Sequence, residues 1–489
     1  MADDLDTVIP AMEVFKRCSM FRGINLERAA QQSFGIFRPD GNTRMKTRLD
    51  WSAYDNYGAD DAYAQIPTEG GGYGKAAAVC IGNRQCQRDE NGVMCPSFRV
   101  THDTLHSTQH RAATLRAALD GEYGSNPFIG PEITAAMELC VGCKGCKREC
   151  PNGVDMAMLR NEALAQRRVE SGRTPLRDRL MAHLPRFAHH FKWFSWLSTL
   201  RARVPLIATL MERWLGIAAK RSLPRAARHN FLSSAPITLP IKDAREVVLL
   251  IDTFSNHFDP AIAQAALEVL QAGGYAVHLA RPQNDERALC CGRTYLSNGM
   301  IDEAHAEAER MLDILWPYVE RGLPVIGLEP SCLLMLRDEY YALGLGERVA
   351  AVAKSALLLE EFIAREYDAK RLTLPLKPLA GHGLVHGHCH QKAFGAMKSM
   401  RKVLQLIPDF RVDFIEASCC GMAGAFGMEA EHYEISMQMA ELALLPQIRA
   451  AGSYTVLIAN GTSCRHQIRD GVERQPLHLA QVLQSSINA

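Results

Sequence analysis

The sequence predicts a mixed α+β and α/β multidomain chain, helical in its first cysteine-bearing part and built from a duplicated α/β unit over its second half. Three observations predict this. The 15 cysteines fall into two groups, seven from Cys80 to Cys150 and seven from Cys290 to Cys464, with Cys18 standing apart. Apolar strands alternate with helical periodicity after residue 241, the pattern of parallel α/β units. A Cys-Cys-Gly triplet occurs at Cys290 and again at Cys419, 129 residues later.

With 489 residues the chain has room for about three domains of ~150 residues each. Its 55 Lys+Arg against 54 Asp+Glu leave a net charge of +1, so no global field recruits nucleic acid and no such partner is expected. An apolar fraction of 47% with 22% charged residues is ordered globular composition. No apolar run approaches the ~20 residues of a spanning helix. The start, Met1-Ala2-Asp3-Asp4, lacks the basic-then-apolar order of a signal peptide, which predicts a cytoplasmic protein. Reducing cytosol keeps thiols free, so clustered cysteines there point to metal binding or redox chemistry rather than a disulfide framework.

Residues 1–74 read as an irregular N-terminal extension and a candidate partner-docking segment. Its Gly70-Gly71-Gly72-Tyr73-Gly74-Lys75 run resembles a phosphate-binding loop, but the spacing is wrong and no Ser or Thr follows, so it reads as a turn. Residues 75–170 carry the first cysteine group between helices expected at Ser107–Leu119 and Asp155–Arg168, with Asp155 as an N-cap. Residues 171–240 form a basic, Trp-rich helical linker. From Arg167 to Arg228 there are 14 Lys/Arg against 3 Asp/Glu, and Trp193, Trp196 and Trp214 lie beside Phe187, Phe191 and Phe194. Such a segment packs its tryptophans inward under solvated arginines, docks an acidic partner, or lies on an anionic membrane surface. The last would place the protein peripherally on the inner face of the cell membrane.

Residues 241–489 read as two copies of one unit, at about 245–345 and 380–475. The first opens with strand Val247–Asp252, a helix from about Pro260 to Ala272 and strand Tyr275–Leu279, and then reaches Cys290-Cys291-Gly292. The second repeats the order with strand Leu384–Gly387, a helix through Leu404 and strand Val412–Ile415, ahead of Cys419-Cys420-Gly421. Each copy continues with a long helix and a short strand that leads to a cysteine, Cys332 or Cys464.

The strongest motif is Cys140-x2-Cys143-x2-Cys146-x3-Cys150-Pro151. Three thiolates on a tight loop reach three corners of one cubane, and the fourth, before Pro, ligates a second cluster, as in two-cluster bacterial ferredoxins. This spacing is not that of a zinc ribbon. The partner half is Cys80-x5-Cys86-x8-Cys95-Pro96, with Asn83 where the second cysteine would stand. Crossing the ligands predicts two [4Fe-4S] clusters in a ferredoxin-like domain, one on Cys140, Cys143, Cys146 and Cys95. The other has Cys80, Cys86 and Cys150 and lacks a fourth cysteine; Asn83 or another group completes it, or the site holds a [3Fe-4S] cluster.

In the duplicated unit the second copy offers four cysteines, Cys389, Cys419, Cys420 and Cys464. The first offers Cys290, Cys291 and Cys332, with Thr253 or Ser255 near the place of the missing one. A further iron–sulfur cluster, a redox-active dithiol and structural thiols are the three readings, and one further cluster is expected in preference to two. His386, His388 and His390 flank Cys389 and are candidate catalytic residues that relay protons, because histidine titrates near neutrality. Glu329, Arg293, Arg465 and His466 lie near the trailing cysteines and are candidate sources of local charge.

The segments Val93–Ser97 (VMCPS), Leu139–Asp155 (LCVGCKGCKRECPNGVD), Leu289–Leu296 (LCCGRTYL), Gly327–Leu333 (GLEPSCL), His386–Lys392 (HGHCHQK) and Ser418–Gly427 (SCCGMAGAFG) together resemble a known family. The chain is similar to the iron–sulfur portion of FAD-linked D-2-hydroxyacid dehydrogenases of the D-lactate, glycolate oxidase and D-2-hydroxyglutarate types. It also resembles the iron–sulfur subunit of anaerobic glycerol-3-phosphate dehydrogenase, and its CCG half alone resembles the catalytic subunit of heterodisulfide reductase. The resemblance implies an electron-transfer subunit that receives electrons from FAD on a partner dehydrogenase chain and passes them to quinone or another carrier. No glycine-rich dinucleotide fingerprint opens a βαβ unit here, so the flavin is expected on that partner. The alternative is a heterodisulfide-reductase-like thiol–disulfide oxidoreductase acting at the CCG site. Against it, Glu329 and Gly461 stand where those relatives carry the first cysteine of a CxxC.

Overall fold

Two parallel sheets organise the second half of the chain. The structure, a computed structural model, describes residues 45–61, 64–89, 92–235, 244–282 and 287–488. Cys18 and most of the predicted extension lie outside the described residues. Strands β1 (Arg245–Leu250), β2 (Tyr275–Leu279), β3 (Val325–Gly327) and β4 (Ala356–Leu358) form a sheet of order β2-β1-β3-β4. Strands β5 (Gly381–Val385), β6 (Phe410–Phe414) and β7 (Val456–Ile458) form the second, of order β6-β5-β7. All pairings are parallel, and the copies share their topology, with Leu249 beside Ile326 in one and Leu384 beside Leu457 in the other. The central strand β1 is apolar from Val247 to Leu250 because helices cover both faces of a parallel sheet.

The copies are interlocked. A single parallel bridge, Ile458 to Leu477, stands where the first copy has β4. The helix after β4, Leu359–Asp368, packs on Met397–Leu404 of the second copy, and the last helix, Leu479–Asn488, packs on Pro260–Ala272 of the first. One apolar core therefore holds Ala266, Leu270, Phe362, Ile363, Val403, Leu404, Leu479 and Leu483. At roughly 1.5–3 kcal/mol for each large side chain fully buried, neither copy keeps its core without the other. The long helix expected after each CCG triplet is continuous in the first copy, Ile301–Glu320. In the second it is split into Tyr433–Glu441 and Leu444–Ala450, with Pro446 in the first turn of the latter.

The first module is helical, and its caps follow the sequence. Ser107 accepts from the His110 N–H and opens Thr108–Leu119; Asp155 accepts from the Met158 N–H and opens Met156–Ser171. From the latter helix, buried Glu162 accepts the backbone N–H groups of Arg48 and Leu49 at 2.9 Å and the Trp51 indole at 3.1 Å, which pins residues 48–51. The glycine-rich run read as a turn instead enters a helix, Gly72–Ala78. A Cβ at Gly72 would lie 2.5 Å from the Trp51 carbonyl oxygen, so close packing explains this glycine.

The linker holds helices Leu176–Ala182, Phe191–Arg203 and Pro205–Leu215. Part of its positive charge is internal. Arg221, almost fully buried, donates to the Gly427 carbonyl (2.7 Å) and to Ser436 Oγ (2.8 Å), Arg201 donates to the Ala218 carbonyl (2.6 Å), and Arg177 pairs with Glu431 (2.7 Å). Trp196 and Trp214 face outward, whereas the side chains of Trp193 and Phe194 lie outside the described residues. No helix among the described residues is long and apolar enough to cross a membrane.

The chain departs from separate domains in one respect: residues 46–489 make a single compact unit. Its seam is electrostatic. Lys144, in the cysteine loop of the first module and 1% exposed, pairs with Asp338, with Glu339 at 3.1 Å and with Asp155 at 3.7 Å. Lys147 joins Asp155 at 3.0 Å and also reaches Asp338, while Arg293 pairs with Glu339. Burial disfavours the Lys144 charge, yet the three carboxylates raise its pKa above the ordinary lysine value. Removing one member of such a network leaves buried charge unpaired. The Lys144→Met variant is expected to lose about 3–5 kcal/mol of stability, read as a lower denaturant midpoint, whereas a change at exposed Lys398 should be neutral.

Candidate functional site

The two halves of the ferredoxin-like motif fold alike. Gly82 and Gly142 both have positive φ (78° and 58°), and the residues two places on, Arg84 and Lys144, are both left-handed (58° and 59°). Asn83 therefore occupies the backbone position that Cys143 holds in the other half. Cys95 and Cys150 each precede proline and each turn toward the opposite half.

Cys95, Cys140, Cys143 and Cys146 line one cavity, together with Arg111 and Thr108. All four sulfurs are buried. Arg111 is the charged group of this site: its Nη1 lies 3.2 Å from Cys95 Sγ, Nη2 bonds Ser97 Oγ at 2.9 Å, and Nε bonds the Ala136 carbonyl at 2.8 Å. Burial alone would raise the Cys95 pKa, but the Arg111 charge and the Ser97, Arg111 and Thr108 donors bring it below the ordinary thiol value. The four thiols, their shared cavity and the fixed guanidinium fit an anionic cluster.

Cys80, Cys86 and Cys150 form the second group, close enough for Cys80 to feel both of the others. Asn83 joins them, with Nδ2 4.0 Å from Cys150 Sγ and 3.0 Å from Asn152 Oδ1. Burial raises the Cys80 and Cys86 thiols, and the backbone N–H of Gln109 donates to Cys86 Sγ at 3.3 Å. This site is the more open of the two, since Cys150 and Asn83 are not fully covered.

The second copy of the α/β unit brings Cys389, Cys419, Cys420 and Cys464 together in that order, each sulfur hydrogen-bonding the next. The Cys419 S–H lowers the neighbouring Cys389 and Cys420 well below the ordinary thiol value, against burial and with help from His388 and His386 respectively. Cys419 and Cys464 are raised in turn by those same sulfur contacts and by burial. Lys392, its charge opposed by burial yet attracted to all four sulfurs, donates to the Ser418 carbonyl at 3.3 Å. Four clustered sulfurs faced by the Lys392 amine suit a cluster.

The first copy differs in charge. Cys290 and Cys291 are both pushed well above the thiol range, Cys290 chiefly by its contact with Cys291 and by burial. Cys332 rises to about 11, because burial and the carboxylates of Asp252 and Glu329 outweigh the Cys291 contact. Asp252 itself is lifted to about 6 by burial and by Glu329. Thr253 starts the helix after β1, the place of Cys389 after β5, and Asp252 caps it. The first copy therefore offers three cysteines beside two carboxyl groups where the second offers four beside Lys392 and two histidines.

The three histidines are all buried and take different partners, although the His388 and His390 rings meet edge to face with centroids 5.1 Å apart. His386 faces Cys420 and Cys464, and His388 caps the Cys389 helix through the His390 N–H at 3.1 Å. Burial opposes a charge on His388, but Cys389 and Glu329 raise its pKa to about 9. His390 reaches out of this site to Arg293 (2.9 Å) and to the Gly142 carbonyl (3.2 Å), and burial with the Arg293 charge drives its pKa well below neutrality. Of the charge candidates, Glu329 lies between the two copies, accepting from the Thr462 N–H at 2.8 Å and from Ser331 Oγ at 2.8 Å. Arg465 binds Asp259 at 2.8 Å, and His466 contacts Ser222 Oγ at 3.1 Å, away from the sulfurs.

The modules meet at the sulfurs. Cys143 is raised by burial and then by Cys389, before any cysteine of its own group. Cys143, Val93, Cys419, Cys420 and Cys464 share one apolar cluster, with Cys389 packed against it.

A family model described as a 4Fe-4S dicluster domain matches residues 76–154, and one described as a cysteine-rich (CCG) domain matches twice, at 253–337 and 384–469. The chain carries one 4Fe-4S dicluster domain and two cysteine-rich domains. It is 25% identical over 464 residues to D-2-hydroxyglutarate dehydrogenase of Escherichia coli K12, covering 83% of this chain and 43% of the relative. It is 27% identical to one subunit of the anaerobic glycerol-3-phosphate dehydrogenase of the same strain, over 62% of this chain and 75% of that one. A probable glycolate oxidase iron-sulfur subunit of Bacillus subtilis 168 is 24% identical over 80% of this chain and 90% of its own. The chain thus spans less than half the length of the D-2-hydroxyglutarate dehydrogenase it matches.

In this iron–sulfur protein the residue that motif reading missed is Arg111. It lies 16 residues past Cys95 in a helix with ordinary polar neighbours, and nothing in its local sequence marks it as facing sulfur. The CCG glycine, by contrast, has a clear local reason. Gly292 and Gly421 have φ of 90° and 85°, and a Cβ would lie 2.8 Å from the Ala304 carbonyl oxygen in one and 2.1 Å from that of Ser436 in the other. The Gly421→Ala variant should lose about 2–4 kcal/mol through left-handed strain and backbone collision. Its thermal midpoint should fall, along with the iron retained per chain.

Proposed function

We propose that this chain is the iron–sulfur electron-transfer part of a FAD-dependent 2-hydroxyacid dehydrogenase. It takes electrons from a partner flavoprotein and delivers them to quinone or another carrier. The observation that supports the reading is that Cys143 feels the charge of Cys389 and shares one apolar cluster with the cysteines of the CCG set. Two iron–sulfur clusters in the first module and one in the CCG set would supply one-electron transfer when bound.

The chain's own residues do the rest. Cys95, Cys140, Cys143 and Cys146 hold the inner cluster, and Cys80, Cys86 and Cys150, with Asn83 beside them, hold the outer, more exposed one. The openness of the outer site suits it to receive electrons from a partner, and the burial of the inner site suits onward transfer within the chain. Arg111 sets a positive charge against the inner site and favours its reduced, more negative state. Cys389, Cys419, Cys420 and Cys464 hold the third centre, with Lys392 offsetting its charge. The carboxylates around Cys290, Cys291 and Cys332 disfavour an anionic cluster in the first copy, so one further centre is the reading there. The relatives support the oxidoreductase setting, since two of the three named above are subunits by name. Peripheral contact with a membrane surface belongs to the same reading: Leu206 and Trp214 are 66% and 79% exposed on a helix followed by basic chain.

A visible spectrum of the protein purified without oxygen from its native host tests this. Flavin peaks over broad iron–sulfur absorbance, with a second chain present, are expected; brown protein that reduces a disulfide without any flavoprotein would overturn the reading. In the assembled complex, Cys143→Ser should stop quinone-coupled turnover while substrate still bleaches the partner's flavin. Undiminished turnover would count against the relay. Arg111→Met should lower the midpoint potential of the inner cluster by about 60–130 mV, the equivalent of one charge-assisted hydrogen bond, in an EPR-monitored redox titration.

A further inference from the structure

His386 is 2% exposed, and among the described residues its ring nitrogens have no hydrogen-bond partner other than the neighbouring Cys420 sulfur. A buried imidazole left in that state costs a few kcal/mol, roughly 1–3 for each unsatisfied polar atom. Such a group persists where something else engages it. Its nitrogen lies within 4.8 Å of the sulfurs of both Cys420 and Cys464, the three atoms forming a compact set of potential metal donors. Its neighbours are otherwise committed: His388 caps a helix and His390 is held by Arg293 and the Gly142 carbonyl. The matching stretch of the first copy, Leu250-Ile251-Asp252, has no histidine, and that copy also lacks the fourth cysteine.

We propose that His386 is an iron ligand of the centre held by Cys389, Cys419, Cys420 and Cys464, giving that centre mixed sulfur and nitrogen ligation. The inference rests on the reading of this set as an iron–sulfur site. Binding needs no proton or electron exchange, because a neutral imidazole donates its lone pair to iron. A neutral nitrogen adds a donor without adding negative charge, which keeps the potential of the cluster higher than a further thiolate would. The centre then becomes an electron sink at the end of the relay, downstream of the Cys143 cluster.

Pulsed EPR of the reduced, cluster-loaded full-length protein, grown with natural or 15N-labelled histidine, tests the assignment. A strongly coupled nitrogen that responds to the histidine label is expected. It should vanish in His386→Ala and in Cys419→Ser, and persist in His388→Ala and Cys146→Ser. A coupling that ignores the label, or that survives His386→Ala, would overturn the proposal. Mössbauer spectra of 57Fe-loaded protein read the irons whatever their spin state, and should show one iron site altered by His386→Ala; identical spectra would also overturn it. Should His386→Ala fail to fold, labelled wild-type protein still decides between nitrogen and all-sulfur ligation. If Cys419→Ser removes no iron and no signal, the reading of the set as an iron–sulfur site fails, and this one with it.

Discussion

Everything in the molecule that concerns electron flow depends on the buried charge network at Lys144. The lysine sits between Cys143 and Cys146, in a left-handed backbone position, and its ammonium is gripped by carboxylates from both modules. Surface ion pairs contribute little to stability, but a pair with 1% exposure is another matter, since its partners cannot turn to water. The network fixes the cysteine loop against the α/β unit, and His390 adds a second link by meeting the edge of that loop at the Gly142 carbonyl. With the loop so held, Cys143 has no freedom to swing away from Cys389. The electrostatic clamp and the apolar cluster that Cys143 shares with the CCG cysteines are two consequences of the same docking.

The duplication is used asymmetrically. Both copies have the same strand order, the same CCG turn and the same backbone N–H to sulfur bond, from Gly292 to Cys290 and from Gly421 to Cys419, each at 3.4 Å. What differs is the sign of the surroundings. The second set faces His386, His388 and Lys392; the first faces Asp252, Glu329 and, further out, Glu307. Cationic surroundings favour thiolate, the form that binds iron, and carboxylates disfavour it. Glu329 acts on both, which makes it the element that couples the two copies electrostatically.

Much of this was legible in the sequence because it is local. Strand and helix periods, the Asp155 and Ser107 caps, and the grouping of cysteines by spacing all depend on residues a few places apart. The CCG repeat was legible because a left-handed glycine and two adjacent thiols leave a fixed signature. The rest depends on contacts across hundreds of residues. Arg111 on Cys95, Lys144 on Asp338 and the interlock of Leu479–Asn488 with Pro260–Ala272 carry no local pattern. The histidine triplet shows the limit well: three rings within five residues read as one relay, yet turns of the backbone send them to three different partners. The basic linker shows it again, since Arg177, Arg201 and Arg221 look solvent-bound in sequence and are structural in the fold.

The placement of charge also gives the relay a direction. Arg111 lies against the inner cluster site of the first module and bonds a cysteine sulfur directly, whereas at the outer site the half-buried Arg116 acts on Cys80 only through its charge. A positive charge in a low-dielectric site stabilises the reduced, more negative state, so electrons entering at the exposed outer site fall inward. Beyond Cys143 they meet a set of sulfurs faced by an ammonium and two imidazoles, which stabilise added electrons further. Exposure at one end and cationic burial at the other are enough to set that order. On the proposed reading, the direction of flow follows from where the fold puts these cationic side chains and a solvent edge, together with the different ligand sets at the two ends of the relay.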